Sequence, residues 1–151
     1  MRFKILCVGK IKDKYIRDEI QSLCGKIRKH GNSIEIIEIP DIKIPDKIKD
    51  EKKGAFLQKE CEPMRSKIGR SDYVIALCIE GKELDSDKHR SYIDKAVDMG
   101  KENISYVIGG SLGLPDWIKE RADLKLSFSK MTFPHQLMRM VLLEEIENSI
   151  L

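Results

Sequence analysis

The chain has 151 residues, of which 41% are hydrophobic and 35% charged, with a formal net charge of +3. That length suits one domain with a real hydrophobic core, and that balance is of a folded globular protein, not of a disordered or fibrous one. No apolar run approaches the ~20 residues of a membrane-spanning helix, and the apolar stretch after Met1 is too short for a secretory signal, so a cytoplasmic protein is expected.

In chain order, residues 3–8 form an apolar run closed by Gly9 and predict a buried strand and turn. From Asp13 to His30 the apolar residues Tyr15, Ile16, Ile20, Leu23, Cys24 and Ile27 recur at helical spacing, and Gly31-Asn32 ends that helix. Ile34 to Ile39 is rich in β-branched residues and reads as a second strand. Pro40 and Pro45 mark an extended connection. The charged stretch from Lys47 to Lys67 predicts an exposed helix broken near Pro63. Its cations read as a solvated face, with RNA contact as the alternative.

Tyr73 to Ile79 is the strongest strand signal, a continuous apolar run of the kind found in a parallel strand covered on both faces. Asp85 or Ser86 can cap a helix carrying Tyr92, Ile93, Ala96 and Val97 on one side, with Gly100 ending it. Ile104 to Ile108 is a fourth strand and Leu124 to Phe128 a shorter fifth. A last helix starts near Pro134. Strands alternating with helices predict an α/β fold: a mostly parallel sheet with helices on both faces, in one domain spanning residues 1–151.

The cysteines, Cys7, Cys24, Cys61 and Cys78, form no Cys-x-x-Cys pair and have no His at zinc-ligand spacing. They read as free, buried thiols in a reducing compartment, and no metal is expected. His30 and His89 fall in charged segments and read as exposed. His135 stands at the start of the last helix, as a helix-start residue or a functional one. That helix carries Leu137, Met138, Met140, Val141, Leu142, Leu143 and Ile146 and is apolar nearly all round. Burial against a second subunit in a homodimer is the preferred explanation, with burial inside the monomer as the alternative.

Ligands of open parallel sheets bind at the carboxyl ends of the strands. Three loops leave such ends here: Glu80-Gly81-Lys82, residues 109–115 and residues 127–133. Gly109, Gly110 and Gly113 follow a strand directly and predict exposed backbone amides lining a pocket. Their spacing is neither Gly-x-Gly-x-x-Gly nor a Walker A loop, which disfavours dinucleotide and nucleoside-triphosphate sites. Ser111 has no evident His and Asp partners, and no carboxylate pair stands out for acid–base work.

The strings Val107-Ile108-Gly109-Gly110-Ser111-Leu112-Gly113-Leu114, Arg121-Ala122 and Leu126-Ser127-Phe128-Ser129-Lys130-Met131-Thr132-Phe133-Pro134-His135-Gln136-Leu137 with Arg139 closely resemble the RlmH family, 23S rRNA pseudouridine N3-methyltransferases of the SPOUT superfamily. Ile5 to Lys10 and Leu77 to Lys82 resemble it too. The resemblance implies a C-terminal trefoil knot, a homodimer, and S-adenosylmethionine as cofactor. It implies cofactor-binding positions at Leu77, Gly109, Phe128, Ser129, Lys130, Met131, Thr132 and Phe133. The substrate would be a pseudouridine of large-subunit rRNA on the ribosome, with His135 and Arg139 as substrate-site residues. Lys82, Lys130 and Arg139 would supply positive charge toward RNA, or stand as ordinary solvated cations. The sequence departs from the family at its end: Glu147 and Asn148 stand where Tyr and Arg are expected, and the family's Tyr-His tail has no counterpart. Three glutamates there oppose the helix dipole at about 0.3–1 kcal/mol each if exposed, so this end reads as locally poor. No catalytic residue is assigned. The alternative to an active enzyme is a non-catalytic relative that binds cofactor or ribosome.

Overall fold

The structure, a computed structural model, describes residues 1–150, with His135 described by its backbone alone. The elements run β1 (Arg2–Val8), α1 (Lys14–Lys29), β2 (Ser33–Ile39), α2 (Asp50–Cys61), a 3₁₀ turn (Glu62–Ser66), β3 (Tyr73–Glu83), α3 (Ser86–Asp98), β4 (Asn103–Ile108), α4 (Asp116–Arg121), β5 (Leu124–Ser127) and α5 (His135–Ile150). The strands pair in the order β2-β1-β4-β3-β5, and every pairing is parallel.

Period-two alternation sends successive side chains of each strand to opposite faces. Phe3, Ile5 and Cys7 of β1 meet Ile20, Leu23 and Ile27 of α1 and Leu142, Leu143 and Ile146 of α5; α3 joins this layer through Ile93 and Ala96. Leu6 and Val8 point the other way, to a smaller core with Cys61, Met64 and Ile118. Helices α1, α3 and α5 therefore cover one face, and α2, the 3₁₀ turn and α4 the other. Asp13 caps α1 by accepting from the Ile16 N–H at 3.2 Å, and Asp85 caps α3 by accepting from Lys88 at 2.7 Å.

Four features differ from the sequence reading. The six-residue α4 carries too little periodicity to be seen and is held by Ile118, which is buried against the second core. Val97, expected on the buried side of α3, is exposed. The predicted loop at Glu80-Gly81-Lys82 is strand: β3 bulges after Leu77 and pairs again with β5 through Lys82 and Glu83. Gly81 permits this, because a Cβ there would stand 2.7 Å from the backbone of Lys125 and Leu126.

His89 is the fourth. It is buried, not exposed. Its Nε2 lies 2.6 Å from the Tyr106 hydroxyl, while Nδ1 lies 2.8 Å from Ser149 Oγ and 3.3 Å from Glu145 Oε1. Ser86 Oγ donates to the other Glu145 oxygen at 2.9 Å. This cluster joins α3, β4 and α5. It also changes the standing of the C-terminal glutamates, since Glu145 is occupied by three hydrogen-bond partners. Arg90 Nε donates to the Ser149 carbonyl at 2.8 Å, placing a cation at the negative end of α5. Leu142, Leu143 and Ile146 of α5 are likewise covered within the chain and have no exposure, whereas Leu137 at its start stays exposed.

Burial holds the His89 imidazole below its ordinary value of 6.5, against the opposing pull of Glu145. The unfolded chain takes up this proton near 6.5 and the folded chain resists it. The His89 contribution to stability is therefore present above that value and is lost as pH falls below it. Between about pH 7.5 and 5.5, the melting temperature of the native protein should fall more steeply than that of His89→Gln, which should be less stable at the upper pH. Parallel thermal melts across this range check the difference in slope.

Candidate active site

Because α1 and α3 leave toward one face and α4 toward the other, adjacent strand ends diverge on both sides of β4. Such divergence opens crevices at the carboxyl edge of a parallel sheet. One of them is a cavity of about 370 Å³ bounded by the ends of β3, β4 and β5. Leu77, Ile108, Leu114, Leu126 and Met138 provide its apolar lining, and residues 109–113 and 127–129 bring backbone to its wall.

The glycine loop is folded back on itself. Gly113 has φ of +82° and its N–H donates to the Gly110 carbonyl at 3.0 Å. A Cβ on Gly109 would sit inside the Gly113 backbone, so only glycine closes this turn. In the neighbouring loop, Ser127 Oγ donates to the Ser129 carbonyl at 3.0 Å and Ser129 Oγ accepts from the Met131 N–H at 3.0 Å. These bonds form a local scaffold for residues 127–131. At the rim, Lys119 Nζ lies 2.6 Å from Glu80 Oε1. The Lys119 ammonium holds the Glu80 carboxyl below its ordinary value, and Glu80 in turn raises Lys119.

Leu77, Gly109, Phe128, Ser129, Met131, Thr132 and Phe133 all line this cavity; Lys130 does not. The side chain of His135 lies outside the described residues. Arg139 is placed differently from an RNA-facing cation. Only 2% exposed, it sits 2.9 Å from Glu38 and donates to the carbonyls of Val8 at 2.9 Å and Gly9 at 2.6 Å. It is a clamp between α5 and the ends of β1 and β2. Lys82 lies on the extension of β3, 3.5 Å from the Tyr92 hydroxyl. None of the four cysteines is disulfide-bonded. Burial pushes the Cys7 and Cys61 thiols up to about 12, which makes them poor nucleophiles. Cys78 is half-buried and lines the cavity, with its thiol also raised by burial. No cluster of metal-ligating side chains occurs among the described residues.

A family model described as "Predicted SPOUT methyltransferase" matches residues 1–147. The chain belongs to the SPOUT methyltransferase family. It is 46% identical over 146 residues to the Ribosomal RNA large subunit methyltransferase H 1 of Thermoanaerobacter pseudethanolicus, covering 97% of this chain and 94% of that protein. It is 43% identical over 146 residues to the Ribosomal RNA large subunit methyltransferase H of Streptococcus equi subsp. zooepidemicus, covering 97% and 91%. Among solved structures, the probable methyltransferase from Bordetella pertussis Tohama I matches with a TM-score of 0.55 over 99% of this chain and 94% of that one; at 12% identity the match speaks for the fold alone. No helix of this SPOUT chain is long and apolar enough to cross a membrane.

Sequence reasoning missed Glu60, the one carboxylate of α2 that turns inward at 3% exposure. It stands among charged neighbours in a stretch with weak amphipathic character, so no periodicity singles it out. Removing the buried guanidinium tests how far the site depends on the clamp. Arg139→Ala should lower stability by about 3 kcal/mol, the low end of the usual range because Glu38 is partly exposed. Urea denaturation of the two proteins measures it.

Proposed function

We propose that the chain is an S-adenosylmethionine-dependent methyltransferase acting on N3 of a pseudouridine in large-subunit rRNA, on the ribosome, in the cytoplasm. One observation carries this reading: the cavity at the ends of β3, β4 and β5 is built from the two loops that carry the family resemblance, in a chain 43% to 46% identical to named rRNA methyltransferases.

The residues present fit the cofactor. An apolar floor suits an adenine ring, and the side-chain-free Gly109 and Gly110 let backbone amides approach polar edges closely. Glu80 and Lys119 at the rim offer charges of both signs to an amino-acid moiety. When bound, S-adenosylmethionine supplies an electrophilic methyl group. The protein's task is then alignment, and the paired loops of residues 109–113 and 127–133 serve it. The descent from α4 on one face, through β5 beneath the extension of β3, to α5 on the other face is consistent with a knotted C-terminal segment in a single domain.

A homodimer is part of the same proposal. Met131 at 75%, Phe133 at 41% and Leu137 at 36% exposure leave apolar surface beside the cavity, and large exposed apolar groups favour a partner surface. Leu137→Glu should shift the protein to monomer in sedimentation velocity.

Labelled S-adenosylmethionine and ribosomes lacking the modification test the activity. Transfer to one pseudouridine is expected; cofactor binding without transfer would leave the non-catalytic reading standing. Gly109→Ala should weaken cofactor binding at least about tenfold in calorimetry, since the added methyl forces the glycine turn open. If the native protein takes up neither S-adenosylmethionine nor its demethylated product, the proposal fails.

A further inference from the structure

A second cavity, of about 400 Å³, lies on the other side of β4. It is bounded by the ends of β1 and β2 and by Gly110 and Ser111, the two residues it shares with the first cavity. Glu60 lines it from α2. The carboxylate is almost fully buried, yet its Oε1 has no hydrogen-bond partner among the described residues. A Cβ on Gly110 would stand 2.9 Å from that oxygen. Only a side-chain-free backbone therefore separates a buried, unpartnered acceptor from the first cavity.

Leaving a buried acceptor unmatched is costly, and in proteins such groups are matched by a partner or a ligand. Burial raises the Glu60 carboxyl, the Ile42 backbone N–H facing it lowers it, and Asp41 beside the cavity raises it further. The exposed Lys10 and Lys12 stand at the same cavity, with Ser111 and Gln136 as further polar groups. An N–H acceptor at depth, amide and hydroxyl groups beside it and cations outside match a nucleotide: base inward, phosphate outward.

Resting on the methyltransferase reading, we propose that this second cavity receives the target nucleotide as a flipped uracil-type base, with Glu60 Oε1 accepting a ring N–H and Lys10 and Lys12 facing its backbone phosphate. Cofactor and base would then approach each other around Gly110 from opposite sides of β4. The carboxylate matters as such. It can accept from two donors at once, the Ile42 backbone N–H that faces it and the base. Glutamine of the same shape must turn its NH₂ toward one of those two donors.

The test uses the full-length protein and three measurements. Calorimetry with S-adenosylmethionine reports on the first cavity, thermal melting on folding, and labelled methyl transfer to unmodified ribosomes on the substrate. Glu60→Gln should keep cofactor affinity within about twofold while kcat/KM toward ribosomes falls up to about a hundredfold, the cost of leaving one buried hydrogen-bonding group mispaired. Lys10→Ala/Lys12→Ala, a surface change, should raise KM for ribosomes about three- to tenfold with kcat unchanged, and should flatten the salt dependence of KM. Glu60→Gln turning over within threefold of the native enzyme would overturn the inference, because a buried water would then be the partner of Oε1. If Glu60→Gln does not fold, the double lysine variant decides: an unchanged KM and salt dependence overturns the second cavity as the nucleotide site. Absence of transfer by the native protein is a separate result that sinks the enzymatic reading itself.

Discussion

Arg139 is the interaction on which the geometry of the site rests. Its guanidinium is buried where helix α5 crosses the end of β1, and it spends its donors on Glu38 and on the carbonyls of Val8 and Gly9. Backbone carbonyls at the end of a parallel strand have no further strand partner and need donors from elsewhere. Arg139 supplies them and brings its own counter-charge on β2. A buried ion pair contributes little net stability compared with an apolar substitute, but breaking one is expensive. Its consequence is positional: α5 can dock only where that guanidinium finds its three partners. The segment of residues 128–134 therefore runs between two fixed points, the end of β5 and the start of α5.

The opposite end of α5 is fixed by different chemistry. Glu145 and Ser149 reach across to His89 and Ser86, His89 in turn pairs with Tyr106, and Arg90 covers the Ser149 carbonyl. Polar networks of this kind are directional where the apolar contacts around them are not, so they define rotation as well as depth. With Leu142, Leu143 and Ile146 filling the space between, the helix has one register on the sheet. That accounts for its composition. The apolar residues of α5 pack against α1, α3 and the sheet, and its buried polar side chains, Arg139 and Ser149, belong to the two anchors.

Much of this architecture could be read from the residues. Continuous apolar runs mark buried parallel strands, and the glycines after Ile108 mark a backbone forced into a tight turn; both signals are local. What escaped the sequence depends on distant partners. The extension of β3 past Gly81 exists because β5, over forty residues later, passes beneath it without room for a side chain. His89 is polar and lies in a charged stretch, and only the Tyr106, Ser149 and Glu145 partners make its burial affordable. Arg139 and Glu60 look like solvated charges for the same reason. Charge in a sequence is read as exposure by default, and the exceptions are the residues that organise this site.

The placement of glycine then acquires a functional logic. A catalyst that works by alignment needs two ligands brought within bonding distance while the protein stays out of the line between them. In a parallel sheet the material between neighbouring crevices is the strand end itself, and any Cβ there thickens the wall. At the end of β4, Gly109 borders the first cavity, on the β3 side, and Gly110 borders both it and the second, on the β1 side. The same two residues that let the turn close also keep it thin. A Cβ at Gly109 would collide with the Gly113 backbone, and a Cβ at Gly110 would press on the Glu60 carboxylate. Closure of the turn and the closeness of the Glu60 carboxylate thus place one demand on the sequence, for glycine, directly after the central strand.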